Sequence, residues 1–250
     1  MHINVRGVIR LKLTKSNFLP IAVLILCCLA FLLLSYLSYS AVDKQASALA
    51  GQAPQTVVID AGHGGEDGGA SGQTDVLEKE INLAIAKDLQ QFLQTSGMRV
   101  VMTRTTDDAI SDDLNTVRAR KRSDLQNRLK MLQDQGNCIF VSIHQNHFPQ
   151  TQYHGTQVFF SKNDARSKDL AENVRSRVTE LIQTDNQRET KPATSAIYLL
   201  WQAKVPAVLV ECGFLSNAEE EAKLNTPDYQ QKIAFSIGCG VLDFYSGLRN

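Results

Sequence analysis

The chain has 250 residues, with 26 Lys and Arg against 26 Asp and Glu and a formal net charge of zero. The balance hides an asymmetry: Arg6, Arg10, Lys12 and Lys15 precede a long apolar run, and without them 22 basic residues face 26 acidic ones. A mildly acidic remainder excludes the basic face that a nucleic-acid partner requires.

The N-terminus comes first. Residues 1–17 read as a basic cytoplasmic tail. Phe18–Leu37 carries no charge over 20 residues, enough to cross about 30 Å of hydrocarbon. Basic residues before it and none close behind put the N-terminus inside and the remainder outside. Residues 18–40 are therefore read as an uncleaved transmembrane anchor. The competing reading is a cleaved signal peptide, with Ser38-Tyr39-Ser40 and Ala48-Leu49-Ala50 resembling cleavage sites. Its apolar core would usually span only about 7–15 residues. Residues 41–55, rich in Ala, Ser and Gln and ending near Pro54, read as a linker.

Residues 56–250 read as one domain. Thr56–Asp60 is an apolar strand, followed by a glycine-rich loop. A helix from about Asp75 carries Leu77, Ile81, Ile85, Leu89 and Leu93 on one stripe. Arg99–Thr103 is the second strand, and residues 104–115 form a polar loop. A helix over Thr116–Gln135 is expected to turn Val117, Leu125, Leu129 and Leu132 inward. Cys138–Ile143 and Gly155–Phe160 are strands. Ala165–Thr184 is a helix with Leu170, Val174, Val178 and Leu181 on its core face. Ile197–Leu200 is expected as a short strand, and Ala207–Val210 as a buried one. The last helix, Pro227–Tyr245, turns Ile233, Ile237, Val241 and Phe244 inward, and Gly238 and Gly240 let it pack closely on a neighbour. Strands apolar on both faces and alternating with helices predict an α/β domain. Its central sheet, largely parallel or mixed, is flanked by helices.

Five cysteines, two of them (Cys27 and Cys28) in the apolar run, make neither a disulfide framework nor a zinc ribbon. Cys138, Cys212 and Cys239 read as small buried apolar side chains.

The chemistry gathers at strand ends. Thr56–Gly72, TVVIDAGHGGEDGGASG, sets His63 just past the first strand, where open α/β sheets keep their ligands. Its glycines fit neither G-x-G-x-x-G nor G-x-x-x-x-G-K-[ST], which argues against a nucleotide. Glu78 follows Asp75 by three positions and reads both as half of a capping box and as a metal ligand aimed by a helix start. His144 comes off the third strand in Ser142-Ile143-His144, with His147 and His154 as nearby alternatives. Glu211 closes PAVLVE. Burial would raise its pKa and a metal would lower it, and a carboxylate so placed can move protons between water and a leaving amine.

Two His, one Glu and an open position form the ligand set of hydrolytic zinc enzymes. The same set serves non-haem iron oxygenases, but an exported domain without an organic-cofactor motif favours Zn2+. The spacings, 15 and then 66 residues, match no short zinc motif. Arg118, Arg120, Lys121, Arg122, Arg128 and Lys130 crowd one helix. They read as a solvated face, with contact to a polyanionic wall as the functional alternative. Asn146 reads as a substrate-orienting or loop-holding residue.

At this point the chain resembles a known family. IDAGHGGEDGGASG, LEKEINLAIAKDL, VSIHQN and PAVLVECGFLSN occur in this order in zinc-dependent N-acetylmuramoyl-L-alanine amidases. The resemblance covers Thr56 to about Tyr245. Within the family, the compact size, single anchor and basic RARKRSDLQNRLKML stretch are most similar to germination-specific amidases acting on spore cortex. The resemblance implies zinc ligands at His63, Glu78 and His144 and a catalytic glutamate at Glu211. It also implies hydrolysis of the amide between the lactyl group of N-acetylmuramic acid and the L-alanine of the stem peptide. The expected partners are peptidoglycan, cortex in particular, and the membrane through the N-terminal helix. The expected location is membrane-anchored with the catalytic domain on the extracytoplasmic side. Control is expected from timing, location or a partner protein. The alternatives are a peptidase of the stem peptide and a non-catalytic wall-binding module.

Overall fold

The computed structural model describes residues 15–50 and 56–248, and the chain divides into two compact units, Met1–Gln52 and Ala53–Asn250. The first unit contains helix α1 (Lys15–Ala50), which covers the predicted anchor and continues through part of the predicted linker. Arg6, Arg10 and Lys12 lie outside the described residues. The large apolar side chains described on α1, from Val23 to Leu37, are exposed. Among the described residues no helix is long and apolar enough to cross a membrane.

The second unit is an α/β domain built on a mixed six-stranded sheet. In chain order its elements are β1 (Thr56–Ala61), α2 (Glu78–Thr95), β2 (Arg99–Met102), α3 (Val117–Asp134), β3 (Cys138–Asn146) and β4 (Gln157–Phe160). They continue with α4 (Arg166–Leu181), β5 (Lys191–Pro192), α5 (Tyr198–Gln202), β6 (Ala207–Phe214), α6 (Ala218–Leu224) and α7 (Pro227–Gly247). The strand order is β2-β1-β3-β6-β4-β5. β2, β1, β3 and β6 run parallel, and β4 turns antiparallel to β6.

Alternation along the strands sorts the core onto two faces. Val57, Ile59, Ile139, Val141, Val208 and Val210 join the inner faces of α2, α4 and α7 in one cluster. Val58, Phe140 and Leu209 join Leu132 of α3 and Leu199 and Leu200 of α5 in the other. Each fully buried aliphatic side chain contributes about 1.5–3 kcal/mol. Cys138 and Cys212 are buried in these clusters, and all five cysteines are free.

Several sequence expectations are corrected. Ile197–Leu200 belongs to the entry of α5 and is not a strand. α2 begins at Glu78 with Leu77 at its N-cap, and no side chain caps it. Asp75 lies outside the helix at φ 61°, so the capping box does not form. α3 turns Ser123, Arg128 and Leu132 inward, while Val117 and Leu125 are exposed. Leu181 is also exposed. β3 and β6 run past their apolar stretches to Asn146 and Phe214, so His144 and Glu211 are strand residues, not residues beyond strand ends.

Candidate metal centre and active site

The site lies on the face that α3 and α5 cover, toward the C-terminal ends of the parallel strands. Val58, Phe140 and Leu209 are apolar on this face. Two residues further along each strand, the same face presents Asp60, Ser142 and Glu211. The register pairs Asp60 with Ser142 and His144 with Glu211. Side-chain period two thus converts an apolar floor into a polar one within a single step.

Asp60 is 1% exposed. It accepts hydrogen bonds from Thr103 Oγ1 (2.8 Å), Ser142 Oγ (2.6 Å) and Arg128 Nη1 (2.7 Å). Burial opposes its ionisation, but Arg128 and Ser142 outweigh that and hold its pKa below the ordinary carboxylate value.

His63, Glu78 and His144 converge. Their ligand atoms lie within 4.8 Å of one another, and the two imidazoles meet edge to face with ring centroids 5.0 Å apart. His63 Nε2 is 3.2 Å from Glu78 Oε2, and His144 Nδ1 is 2.9 Å from Glu78 Oε1. Asp67 Oδ2 lies 2.9 Å from His63 Nδ1, which fixes that ring and leaves Nε2 facing the cluster. Lys121 Nζ lies 2.8 Å from the other oxygen of Asp67.

Glu78 is 4% exposed. Its Oε2 accepts from Ala70 N (2.8 Å), and its Oε1 from Gln145 N (3.0 Å) and Asn82 Nδ2 (3.2 Å). The carboxylate that a capping box would have turned to its own helix start instead spans the loop and β3.

Two glycines make the convergence sterically possible. A Cβ on Gly62 would lie 2.3 Å from His144 Nε2, and one on Gly69 would lie 2.6 Å from Glu78 Oε2 and 2.8 Å from His63 Cδ2.

The electrostatics fit a cation. Burial penalises the charged form of His63, but Asp67 and Glu78 outweigh it and raise its pKa to about 9. Burial likewise works against the Glu78 carboxylate, and His144 and His63 more than offset it, lowering its pKa. The proton that His63 holds is one that a divalent ion bound by the neutral imidazole would displace.

Glu211 completes the floor. Burial lifts its pKa to about 7, with His144 and His63 opposing the rise and Glu78 adding to it. Its Oε2 is shielded from solvent and has no hydrogen-bond partner among the described residues. A buried orphan oxygen beside three convergent donors fits a site that takes a metal and a polarised water.

His147 and His154 are exposed and stand apart from this cluster. Asn146 holds the loop through its backbone, its carbonyl accepting from Leu215 N at 2.8 Å. The basic helix is not simply a solvated face: Arg120 pairs with Glu66, Lys121 with Asp67, and Arg128 is buried against Asp60 and Asp124. Sequence reasoning missed Asp67, Asp60, Arg104 and Glu221. For Arg128 a signal existed, because it falls one helical turn after Asp124 and one before Leu132.

Residues 57–243 match the family described as N-acetylmuramoyl-L-alanine amidase. A germination-specific N-acetylmuramoyl-L-alanine amidase of Bacillus subtilis is 32% identical over 191 residues, covering 76% of this chain and 79% of the relative. The solved CwlD amidase from Clostridioides difficile, in complex with the GerS lipoprotein, superposes with a TM-score of 0.74 at 38% identity. That match covers 77% of this chain and 98% of the other. The amidase AmiC2 of Nostoc punctiforme gives a TM-score of 0.65 at 31% identity, covering 76% and 97%.

Proposed function

We propose, from the premise that this chain belongs to the N-acetylmuramoyl-L-alanine amidase family, that His63, Glu78 and His144 hold a catalytic zinc ion and that Glu211 is its general base. The chain is a hydrolase of the amide between N-acetylmuramic acid and the L-alanine that begins the stem peptide. Bound at the three donors, zinc would supply Lewis acidity and lower the pKa of a water molecule.

The chain's own residues supply the rest. Asp67 holds His63 in the tautomer that offers Nε2. Glu78 is fixed by the Ala70 and Gln145 amides, so its direction does not depend on a ligand. Glu211, whose carboxyl burial pushes up and a bound cation would bring back down, takes a proton from the attacking water and returns it to the departing alanine nitrogen. No covalent intermediate is required. Cys212 is buried in the core cluster behind the sheet, and burial pushes its thiol pKa up.

The observation that carries this reading is the unpartnered buried oxygen of Glu211, paired across the sheet with His144, whose ligand atom lies within 4.8 Å of those of His63 and Glu78.

The finer biology is proposed on likeness. The identity to a germination-specific relative supports a role on spore cortex. The solved relative's complex with a lipoprotein supports a protein partner for this chain too. The charge-free run Phe18–Leu37 supports residues 18–40 as a membrane anchor, which places residues 56–250 on the extracytoplasmic side.

The test is digestion of purified peptidoglycan by the full chain, with and without chelator, read by mass spectrometry. The expected products are free stem peptides beginning at L-alanine, lost with chelator and restored by zinc. Cuts within the stem, or release that chelator leaves untouched, would contradict the proposal.

A further inference from the structure

Two arginines that this chemistry does not use are buried beneath the loop joining β1 to α2. Arg128 is 2% exposed and Arg104 is 4% exposed. Arg104 Nε donates to Ala61 O (2.9 Å), and its Nη2 donates to Gly62 O (3.0 Å) and Lys79 O (2.7 Å). Its Nη1 donates to Thr106 O (3.1 Å), so all four of these bonds go to backbone carbonyls. Arg128 Nη1 also donates to Ala61 O (2.8 Å), and its Nη2 to His63 O (2.7 Å). Its charge is matched by Asp60 and Asp124.

The carbonyls of residues 61, 62 and 63 therefore all accept from buried guanidinium groups. So does the carbonyl of Lys79, the residue after Glu78. One pair of side chains ties together the backbone that carries two of the three metal donors. His63 needs this support. Its φ of 62° is left-handed, a conformation that persists in a non-glycine residue only when the surroundings over-determine it. A guanidinium suits the task because its donors form a rigid fork, whereas an ammonium supplies the same charge without the fork.

We propose that Arg104 and Arg128 are positioning residues that hold His63 and Glu78 in metal-binding register and so set the affinity for zinc. This rests on the zinc reading above. Neither side chain touches the substrate. They act through the loop, and Arg104 is the cleaner probe, because its bonds end on backbone carbonyls whereas Arg128 also supports the fold through Asp60 and Asp124.

The experiment compares the full chain with Arg104→Lys and Arg128→Lys. Zinc affinity is measured by competition with a chromophoric chelator, the cobalt-loaded proteins are examined by visible spectroscopy, and thermal unfolding is followed in chelator. The expected result is a loss of about 10–100-fold in zinc affinity and altered cobalt bands, with the chelated Arg104→Lys protein unfolding close to the wild-type temperature. Should that variant fold poorly, Arg128→Lys, which keeps a cation beside Asp60, provides the same comparison. Unchanged affinity and spectra in a folded variant would overturn the proposal alone. A wild-type chain that takes up no zinc, or a His63→Ala chain that binds it equally well, would overturn the zinc reading and the clamp with it.

Discussion

Gly62 shows how narrowly single residues define this site. A Cβ there would overlap the His144 ring, with 2.3 Å to both Cε1 and Nε2. The ring cannot retreat freely, because it is also tied to Glu78 through Nδ1 at 2.9 Å. Gly62→Ala is therefore expected to fold, since the strain falls on one half-buried side chain, yet to lose at least ~10-fold in metal affinity. Isothermal titration with zinc measures it, and wild-type affinity would mean that His144 is not held where the structure places it. At this scale the sequence singled out three residues that the fold brings together and misjudged how they are held. Glu78 looked like a cap because its spacing from Asp75 satisfies a local rule. Its actual partners, Ala70 and Gln145, lie 8 and 67 positions away, and no local pattern encodes the second.

Among the elements, α7 was legible in full, and α3 in its span but not in its whole inward face. In α7 the apolar residues recur every three or four positions, and Ile233, Ile237, Val241 and Phe244 are all buried. Gly240 lets this helix approach α4, where a Cβ would fall 2.5 Å from Val174 Cα. Because that neighbour is backbone, Gly240→Ala must separate the helices and should cost about 1–3 kcal/mol, read as a lower urea midpoint with an unchanged m-value. A neutral or stabilising effect would mean that α4 and α7 do not pack as described. In α3 the inward face is carried by Arg128 and Ser123 as much as by Leu132, so an apolar count finds Leu129 and Leu132 but adds the exposed Val117 and Leu125. α6 was missed because seven residues rich in Glu show no stripe. Its local signals are Asn217, whose side chain accepts from the Glu219 and Glu220 amides as an N-cap, and the glutamates of its first turn. Yet α6 matters to the site: Glu221 accepts from Gln73 N and Thr74 N, both at 2.8 Å, steadying the loop just before Glu78. Ile197–Leu200 failed for a different reason, since a short apolar run does not by itself distinguish strand from helix.

At the scale of the whole molecule, one sheet serves both stability and chemistry. The apolar runs of β1, β3 and β6 were readable because both of their faces are buried. Their continuation into His144 and Glu211 was not, because backbone pairing persists where the side chains turn polar. Asp60 joins the two functions, lying beneath the site and paired with Arg128 at 2.7 Å. Its folded pKa is depressed, so the folded state binds fewer protons than the unfolded one. The stability it contributes is complete above its unfolded value, about 3.9, and is lost as pH falls through the folded value. Asp60→Asn leaves Arg128 short of one carboxylate and should cost about 3–5 kcal/mol at pH 7. The gap from wild type should narrow as pH drops below about 4. Urea titrations at pH 7 and pH 3 test this, and a gap independent of pH would show that the pair does not carry the acid sensitivity.

In the proposed site metal binding falls to His63, Glu78 and His144 and proton transfer to Glu211. The most direct measurement is Glu211→Ala in the full chain, assayed for zinc content and for release of stem peptides from peptidoglycan. One zinc per chain is expected, as in wild type, with hydrolysis reduced by at least ~10²-fold. Hydrolysis at the wild-type rate, or loss of zinc together with activity, would contradict it.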